Sequence, residues 1–343
     1  MVTPVSYGDR DREGLRGTPP ESVHHSVNGA SHEARQLRSA SAESCDSGSR
    51  RGTITVELTG GLANQLFQWA AGEILAKEFE TEYSLDARKL QQAGQRGYQL
   101  ESILTSDAPV VSLGRIERFT WRGGAYMPSV SRPLLRRISM VASRARHLRS
   151  SVVCNYAEAR DALGEGKSIV LASFFQEPQE LLKYRDFLRS KIKLPEVRGQ
   201  VARATGGEDR YVAAHVRRGD YVSVGKYLAT FGICSESYYT TALAQANRDL
   251  PVLIATDDRA WTQDFIDRSE FSGSAMISGF EDHYSDLSLL ASAGYLVMSN
   301  STFSWWAAFL GEHEAVFAPE PWFTDRSREH GLYLDSWVKI DRD

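Results

Sequence analysis

The sequence predicts an α/β protein in which parallel sheets are covered by helices. Short apolar runs rich in β-branched residues alternate with amphipathic stretches, a pattern typical of parallel sheets that are buried on both faces. With 343 residues, 42% of them hydrophobic and 24% charged, the chain suffices for about two domains with ordinary cores. The net charge of −4 gives no reason to expect a nucleic-acid partner.

Composition divides the chain into three segments. Residues 1–51 contain almost no large apolar side chains, so we expect a disordered tail that cannot bury enough surface to offset its chain entropy. Residues 52–205 and 206–343 are each expected to form an α/β domain. The boundary is placed in the polar, turn-rich stretch between Pro195 and Asp209.

Order is predicted to begin with a strand over Thr53–Thr59, followed by the pair Gly60 and Gly61 and a helix over Leu62–Phe79. A strand, a glycine turn and a helix form a nucleotide-type unit, whose helix N-terminus favours anions. The spacing Gly-Gly-x-x-Asn-Gln differs from the dinucleotide fingerprint, and a plain tight turn is the alternative. Asn64 and Gln65 lie in the first helical turn, where a side-chain amide can reach a ligand.

A basic segment lies between Arg115 and Arg149, with nine arginines and one acid. A helix opening at Pro133 would be amphipathic, and Arg132–Arg149 could then contact an anionic membrane surface or acceptor; a solvated helix face is the alternative. No apolar run reaches the roughly 18–20 residues of a membrane-spanning helix, and the three cysteines suit a reducing compartment. We expect a cytoplasmic protein, at the inner face of the membrane if this segment binds lipid.

The densest cluster of chemically active residues follows the apolar start of Tyr211–Val222. His215, Arg217, Arg218 and Asp220 lie within six residues of one another, at the end of a predicted buried strand. In open α/β sheets, ligands bind outside the carboxyl ends of the strands. Paired arginines there suit phosphate, which a guanidinium grips bidentately. The cluster therefore predicts a phosphate-bearing ligand.

Two further predicted strands end in polar residues. Asp257 follows the strand Pro251–Thr256, and Ser301 and Thr302 follow the strand Tyr295–Ser299. If these strands are neighbours of the Tyr211 strand, the Ser-Thr turn can hold a diphosphate. Asp257 can then accept hydrogen bonds from a purine that carries adjacent N–H donors, as guanine does. Each feature alone has a plainer meaning, a helix cap for the aspartate and a turn for the Ser-Thr pair.

Together these motifs resemble those of the α-1,2-fucosyltransferase family, in order over about residues 56–323. The segments that carry the resemblance are Gly60-Gly-Leu-Ala-Asn-Gln-Leu-Phe-Gln68, His215-Val-Arg-Arg-Gly-Asp-Tyr221, Asp257-Asp258, Ser299-Asn-Ser-Thr-Phe-Ser-Trp-Trp306 and Ala318-Pro-Glu-Pro-Trp-Phe323. The resemblance implies a GT-B fold, with two facing Rossmann-like domains. It also implies that residues 52–205 form the acceptor side and residues 206–343 bind the donor, GDP-L-fucose.

The same resemblance implies roles for single residues. Arg217 matches the arginine on the donor β-phosphate, supported by Arg218. His215 and Asp257 match contacts on the guanine side. Ser301, Thr302 and Phe303 match the diphosphate-binding turn. In the first domain, Gly60 and Gly61 match a phosphate-binding turn, and Asn64 matches a contact with the sugar-phosphate.

The implied reaction is inverting transfer of fucose to a glycan hydroxyl, expected to be O-2 of a galactoside in an oligosaccharide or lipid-linked acceptor. Guanidinium stabilisation of the leaving diphosphate needs no metal or cofactor, and Asp-x-Asp occurs only at the chain ends, in Asp9–Asp11 and Asp341–Asp343. Asp220 is a candidate base, with a structural role in the turn as the alternative. A nucleotide-cofactor oxidoreductase and a non-catalytic nucleotide- or glycan-binding protein are the rival functions.

Overall fold

The structure, a computed structural model, describes residues 52–92, 96–105, 108–111, 150–328 and 331–343. The predicted tail, residues 1–51, lies outside the described residues, and so do the helix predicted after Pro133 and the whole membrane-contact segment Arg132–Arg149. Arg50–Asp343 forms one compact unit. Within the described part of this unit, no helix is both long and apolar enough to cross a membrane.

Five parallel strands form the first sheet. They are β1 (Ile54–Glu57), β2 (Tyr83–Asp86), β3 (Val110–Val111), β4 (Ser151–Val153) and β5 (Ile169–Leu171). Their order is β3-β2-β1-β5-β4, which places β1 at the centre. The strand predicted over Thr53–Thr59 is thereby confirmed, somewhat shorter than expected.

Four helices accompany this sheet in the described chain. They are α1 (Leu62–Glu78), α2 (Tyr156–Gly164), α3 (Pro178–Leu182) and α4 (Arg185–Arg189). Helices α3 and α4 are separate because the chain leaves helical geometry at Tyr184. The Tyr184 hydroxyl donates to Glu78 Oε1 at 2.9 Å, a tertiary contact that local sequence does not reveal.

Six parallel strands form the second sheet. They are β6 (Val212–Val216), β7 (Val252–Thr256), β8 (Ala275–Ile277), β9 (Tyr295–Val297), β10 (Ala315–Glu320) and β11 (Val338–Asp341). Their order is β11-β10-β9-β6-β7-β8. Every residue of β6 is buried, as its apolar sequence and central position require. The strands that precede Arg217, Asp257 and Ser301 are therefore neighbours, as predicted.

The remaining helices belong to the second half of the chain. They are α5 (Arg198–Ala204), α6 (Gly219–Ser223), α7 (Gly225–Phe231), α8 (Glu236–Gln245), α9 (Arg259–Arg268), α10 (His283–Ser292) and α11 (Thr302–Leu310). Short 3₁₀ turns occur at Lys89–Gln91 and Arg326–Arg328. Helices thus connect the parallel strands, and the predicted α/β class is confirmed.

The two halves share one apolar core where α1 packs against α11. The Phe67 ring lies 4.7 Å from Trp305 and 5.2 Å from Trp306, measured between centroids, and all three side chains are buried. Burying an aromatic side chain of this size contributes roughly 1.5–3 kcal/mol. Gly72 allows α1 to approach its own sheet, because a Cβ there would lie 2.7 Å from a methyl group of Val56.

The helix pairing brings the carboxyl ends of the two central strands to face each other. All strands of the first sheet precede residue 172, and those of the second begin at Val212. Two parallel α/β sheets facing across a cleft form the predicted GT-B class, which is confirmed. The domain boundaries at 205 and 206 stay a prediction, because the described chain is one compact unit.

Candidate active site

Arg217 lies directly after β6, between two carboxylates. Its Nη2 donates to Asp220 Oδ1 at 2.5 Å, and its Nη1 forms an ion pair with Asp257 Oδ2 at 2.7 Å. The guanidinium also lies over the Tyr221 ring, 5.6 Å from the centroid. Three contacts fix the orientation of the side chain, which is largely but not fully buried. Such a preset guanidinium can receive an anion without losing rotamer freedom on binding.

Asp257 holds the turn that carries the arginines. Its Oδ1 accepts the backbone N–H groups of Arg218 at 2.8 Å and Gly219 at 3.1 Å. Glycine is required at 219, since a Cβ there would lie 2.7 Å from Asp257 Oδ2. Both oxygens of Asp257 are therefore bound to the turn. The guanine contact predicted for this residue stays a prediction that the observed hydrogen bonds do not favour.

Arg218 contacts a different group of residues from Arg217. Its Nε lies 3.3 Å from Asp258 Oδ2, and its guanidinium covers the Trp261 ring at 4.2 Å. Asp258 is the N-cap of α9 and accepts the Trp261 backbone N–H at 3.2 Å. Arg218 is thus tied to the start of α9, and its predicted support of Arg217 stays a prediction.

His215 is buried beneath the arginine turn and forms a small hydroxyl network. Its Nδ1 lies 2.6 Å from Ser304 Oγ and 3.0 Å from Ser299 Oγ. Burial, together with the nearby positive charge of Arg217, lowers the pKa of His215 from 6.5 to about 3. The imidazole is therefore neutral at physiological pH. Its ring lies 5.2 Å from that of Phe303, which joins two predicted site residues.

The predicted Ser-Thr turn lies at the start of α11, next to the end of β9. Ser301 is the N-cap, and its hydroxyl accepts the Phe303 backbone N–H at 3.3 Å. The first turn of α11 carries no acidic residue, so the positive end of the helix dipole is not neutralised there. Asn300, the residue before this pair, fixes the turn by donating to the carbonyls of Phe231 and Trp322.

Asn64 reaches the Ser-Thr turn from the first sheet. Its Oδ1 accepts from the Thr302 hydroxyl and from Gln176 Nε2, each at 3.3 Å. Gly60 has a φ of +80°, and a Cβ there would lie 2.8 Å from the Asn64 amide nitrogen. The predicted glycine turn therefore exists, with Gly61 as the N-cap of α1. Asn64, Gly60 and Thr302 are brought together as expected.

Gln65 has a structural role, since its side chain is buried and clamps two loops. Its Nε2 donates to the carbonyls of Gly60 and Gly97 at 2.9 Å, and its Oε1 accepts the backbone N–H of Gln99 at 3.0 Å. The loop over residues 96–99 is thereby fixed beside the glycine turn. A buried amide with three partners is typical of a rigid support.

This loop crosses the cleft, a feature that no sequence motif signals. Arg96 Nη2 lies 3.5 Å from Asp220 Oδ2, and Gln99 Nε2 lies 3.2 Å from His283 Nε2. The Tyr284 hydroxyl donates to the Gln99 carbonyl at 2.9 Å. Asp220 is therefore shared by Arg217 and Arg96, one from each half of the chain. These contacts join residues 124 to 185 positions apart in the sequence.

Asp286 is a further candidate site residue, which no sequence motif indicates. It lies in the first turn of α10, and its Oδ1 accepts from the Ser278 hydroxyl at 2.6 Å, just beyond β8. Burial raises the pKa of Asp286 above its usual 3.8. Its other oxygen has no hydrogen-bond partner among the described residues. The sequence signal was an acidic residue near a helix start, which is too common to single out.

The charges around the cleft balance locally. Three guanidiniums alternate with three carboxylates, and the pairs are Arg96 and Arg217 with Asp220, Arg217 with Asp257, and Arg218 with Asp258. Among the described residues, no group of three or more His, Cys, Asp or Glu side chains is arranged to hold a metal ion. The predicted metal-independent chemistry is not tested by that observation and stays a prediction.

These features define a class of site. The cleft between the two parallel sheets is lined by the preset guanidinium of Arg217. It is also lined by the first turns of α1 and α11, which belong to the first and the second half of the chain. Helix N-termini and arginine are the two devices by which proteins hold phosphate. The geometry is that of an enzyme acting on a nucleotide-type substrate bound between two domains.

The sequence model of the family described as Glycosyl transferase family 11 matches residues 154–341, more than half of the chain. The chain belongs to glycosyltransferase family 11. The match includes every predicted site residue of the second half, from His215 to Phe303. A role as a nicotinamide or flavin oxidoreductase receives no support from this match.

Two relatives have informative names. An α-1,2-colitosyltransferase of Escherichia coli is 26% identical over 305 residues, which cover 84% of this chain and 99% of the relative. A galactoside α-(1,2)-fucosyltransferase 1 of Saimiri sciureus is 27% identical over 186 residues, 50% of each chain. The resemblance to α-1,2-fucosyltransferases inferred from the motifs is thus confirmed at the level of the family.

Solved structures resemble the fold more distantly. A NodZ α-1,6-fucosyltransferase crystal soaked with GDP-fucose has 15% sequence identity and a TM-score of 0.43, covering 76% of this chain and 93% of that one. POFUT1 in complex with GDP has 13% identity and a TM-score of 0.42, covering 78% and 98%.

Proposed function

We propose that this glycosyltransferase moves L-fucose from GDP-L-fucose to O-2 of a galactoside, with inversion at the anomeric carbon. The observation that carries the proposal is the placement of Arg217, held by Asp220 and Asp257 at the carboxyl end of the central strand β6. The names of the two relatives support a 6-deoxy-L-sugar and an α-1,2 linkage.

Arg217 would bind the donor diphosphate. As the bond from the sugar to the diphosphate breaks, negative charge accumulates on the leaving group, and a preorganised cation there is worth about 3–4 kcal/mol. The backbone N–H groups at the start of α11, around Ser301, Thr302 and Phe303, supply further donors. The glycine turn at Gly60 and Gly61, at the start of α1, would supply backbone N–H donors from the first sheet's side of the cleft.

Asp286 is a better candidate than Asp257 for recognising guanine. The adjacent N1–H and N2–H donors of guanine need a carboxylate with unoccupied acceptor capacity. Both oxygens of Asp257 are bound to Arg217 and the turn, whereas one oxygen of Asp286 lacks a protein partner among the described residues. Its partner Ser278 directly follows β8, which is next to β7 in the sheet.

Asp220 is better suited to positioning than to proton removal. One of its oxygens accepts from Arg217 and the other lies near Arg96, so neither faces an acceptor hydroxyl without a competing cation. The inverting reaction needs no covalent intermediate, because the acceptor oxygen attacks opposite the departing GDP. We therefore assign Asp220 a structural role in the turn, in which it holds Arg217 against the diphosphate.

A second donor has a specific observation in its favour. The relative that matches over nearly its whole length is named as a colitosyltransferase, and colitose is fucose without its 3-hydroxyl group. A site built to hydrogen-bond a hydroxyl rejects the analogue that lacks it by a large factor, up to about 10⁴–10⁵. The ratio of kcat/KM for GDP-L-fucose and GDP-L-colitose therefore decides between the two donors.

The setting of the reaction follows from the proposed chemistry. The acceptor is a galactoside in an oligosaccharide or a lipid-linked glycan, and no nucleic acid, metal ion or further cofactor takes part. Synthesis of a lipid-linked glycan at the inner face of the cytoplasmic membrane would place the protein in the cytoplasm. Binding to vesicles of anionic lipid tests the peripheral contact proposed for Arg132–Arg149.

Thermal-shift measurements with GDP, UDP, ADP and NAD test the nucleotide, and transfer from GDP-L-fucose tests the chemistry. Ligand binding raises the melting temperature according to its affinity for the folded state. We expect selective stabilisation by GDP, followed by turnover with a galactoside. Stabilisation without turnover from any GDP-sugar would identify a non-catalytic binding protein instead.

A further inference from the structure

The loop after β5, residues 173–177, displays one aromatic ring and buries the next. Phe174 is 39% exposed, whereas Phe175 is buried with its ring edge-on to Tyr156, 5.5 Å between centroids. Phe175 has a φ of +52°, a conformation that bulky residues rarely adopt. The loop therefore buries Phe175 and leaves its neighbour Phe174 exposed.

Both ends of the loop are tied to the scaffold. The Ser173 carbonyl accepts from Gln68 Nε2 at 3.3 Å, and Glu177 Oε1 accepts the backbone N–H of Tyr156 at 3.4 Å. Helices α1 and α2 thus hold the loop from two sides. The exposed ring is presented by a preorganised loop, which lowers the entropy lost when a ligand binds.

The same loop touches the meeting point of the two halves. Gln176 Nε2 donates to Asn64 Oδ1, the atom that also accepts from the Thr302 hydroxyl. Phe174 is two residues from Gln176, on the first sheet's side of the cleft. The loop that carries Phe174 is therefore joined, through Gln176 and Asn64, to the start of α11.

We propose that Phe174 is the platform on which the acceptor galactoside stacks. One face of a galactose ring consists of C–H groups, and an exposed aromatic face is its natural partner, because stacking removes apolar area of both from water. The inference rests on the proposed function and names a specificity-determining residue for it. Phe174 holds the acceptor sugar, Arg217 the donor, and Asn64 lies between them.

The test is the acceptor dependence of Phe174→Ala, with lactose as the galactoside and GDP-L-fucose as the donor. We expect KM for lactose to rise about tenfold. The kcat at saturating lactose and KM for the donor should stay within about twofold, since neither involves this ring. Phe174→Trp should retain the low KM, and Phe174→Leu should not.

Val152→Ala is the matched control, because Val152 is 59% exposed and belongs to the edge strand β4 of the same sheet. It should leave both KM values unchanged. An unchanged KM for lactose in Phe174→Ala, or an equal rise in KM for the donor, would overturn the proposal.

A second measurement separates this inference from the proposed function. Saturation-transfer NMR detects lactose on the GDP-loaded protein whether or not transfer occurs. Loss of the galactose C–H signals in Phe174→Ala supports the stacking role even if GDP-L-fucose is not the donor. Equal signals in wild type and variant contradict it even if fucosyl transfer is established.

Discussion

Asn64 and Thr302 are 238 residues apart in the chain, yet the Thr302 hydroxyl donates a hydrogen bond to the Asn64 side-chain oxygen at 3.3 Å. Asn64 lies in the first turn of α1, and Thr302 is the first residue of α11. These are the helix starts that face the cleft from the two sheets. The contact makes the geometry of each turn depend on the other.

A double-mutant cycle with Asn64→Ala and Thr302→Val should therefore show coupling. We expect a coupling energy of roughly 0.5–1.5 kcal/mol in kcat/KM for the donor, because one hydrogen bond between adjacent side chains is removed. Asn64→Ala combined with Arg248→Ala, on the surface, should be additive to within about 0.5 kcal/mol. Additivity in the first cycle as well would show that the contact plays no part in donor binding.

Arg217→Ala should reduce kcat by about 10²–10³ while the protein stays folded, because the leaving diphosphate loses its preset cation. Arg217→Lys should recover part of this loss, since it keeps the charge but not the forked geometry. The control is Arg248→Ala, an exposed arginine paired with Glu270. Wild-type turnover in Arg217→Ala would remove this residue from the mechanism.

Stability should fall with pH below about 6.5 through His215. The pKa of His215 is about 3 in the folded state, below the ordinary 6.5. On acidification the unfolded chain therefore binds a proton at His215 before the folded protein does, which favours unfolding. Between about pH 7.5 and about pH 5 this loss amounts to about 2 kcal/mol. Urea unfolding at both pH values measures it in wild type and in His215→Gln.

The variant should lose about 2 kcal/mol less than wild type over that interval, whatever its stability at neutral pH. A pH dependence identical in both proteins would mean that His215 titrates normally in the folded state. Burial and the nearby charge of Arg217 would then not exclude a charged imidazole.

Transfer should survive removal of divalent metal ions. In the proposed reaction, Arg217 stabilises the negative charge that develops on the leaving diphosphate, and the helix starts add backbone N–H donors. Initial rates with and without EDTA, each checked for full folding by circular dichroism, give the comparison. A rate that collapses with EDTA and returns with Mg²⁺ or Mn²⁺ would contradict the guanidinium account.

The position of the site was predictable because strand ends in parallel sheets gather on one edge. The polar residues after β6, β7 and β9 lie together for that reason. The role of Asp257 was not predictable, because its partners Arg218 and Gly219 are 38 to 39 residues away in the chain. Only the tertiary structure brings them into contact. The same holds for the contact of Arg96 with Asp220.

Local patterns were also insufficient where tertiary contacts decide. Gln65 reads like a ligand-facing amide in the first turn of α1, but it is buried and bound to backbone groups of two loops. Phe175 has a positive φ, which no propensity of phenylalanine predicts. Sequence thus indicated which strand ends carry the chemistry, and packing determined what each side chain does.

The most direct test of the account is the structure of the product formed from GDP-L-fucose and lactose. We predict release of GDP and an α-linked fucose on O-2 of the galactose, detected by NMR, with the anomeric configuration inverted from that of the β-linked donor. A β-linked product, or transfer from a UDP-sugar with none from a GDP-sugar, would contradict the proposed function.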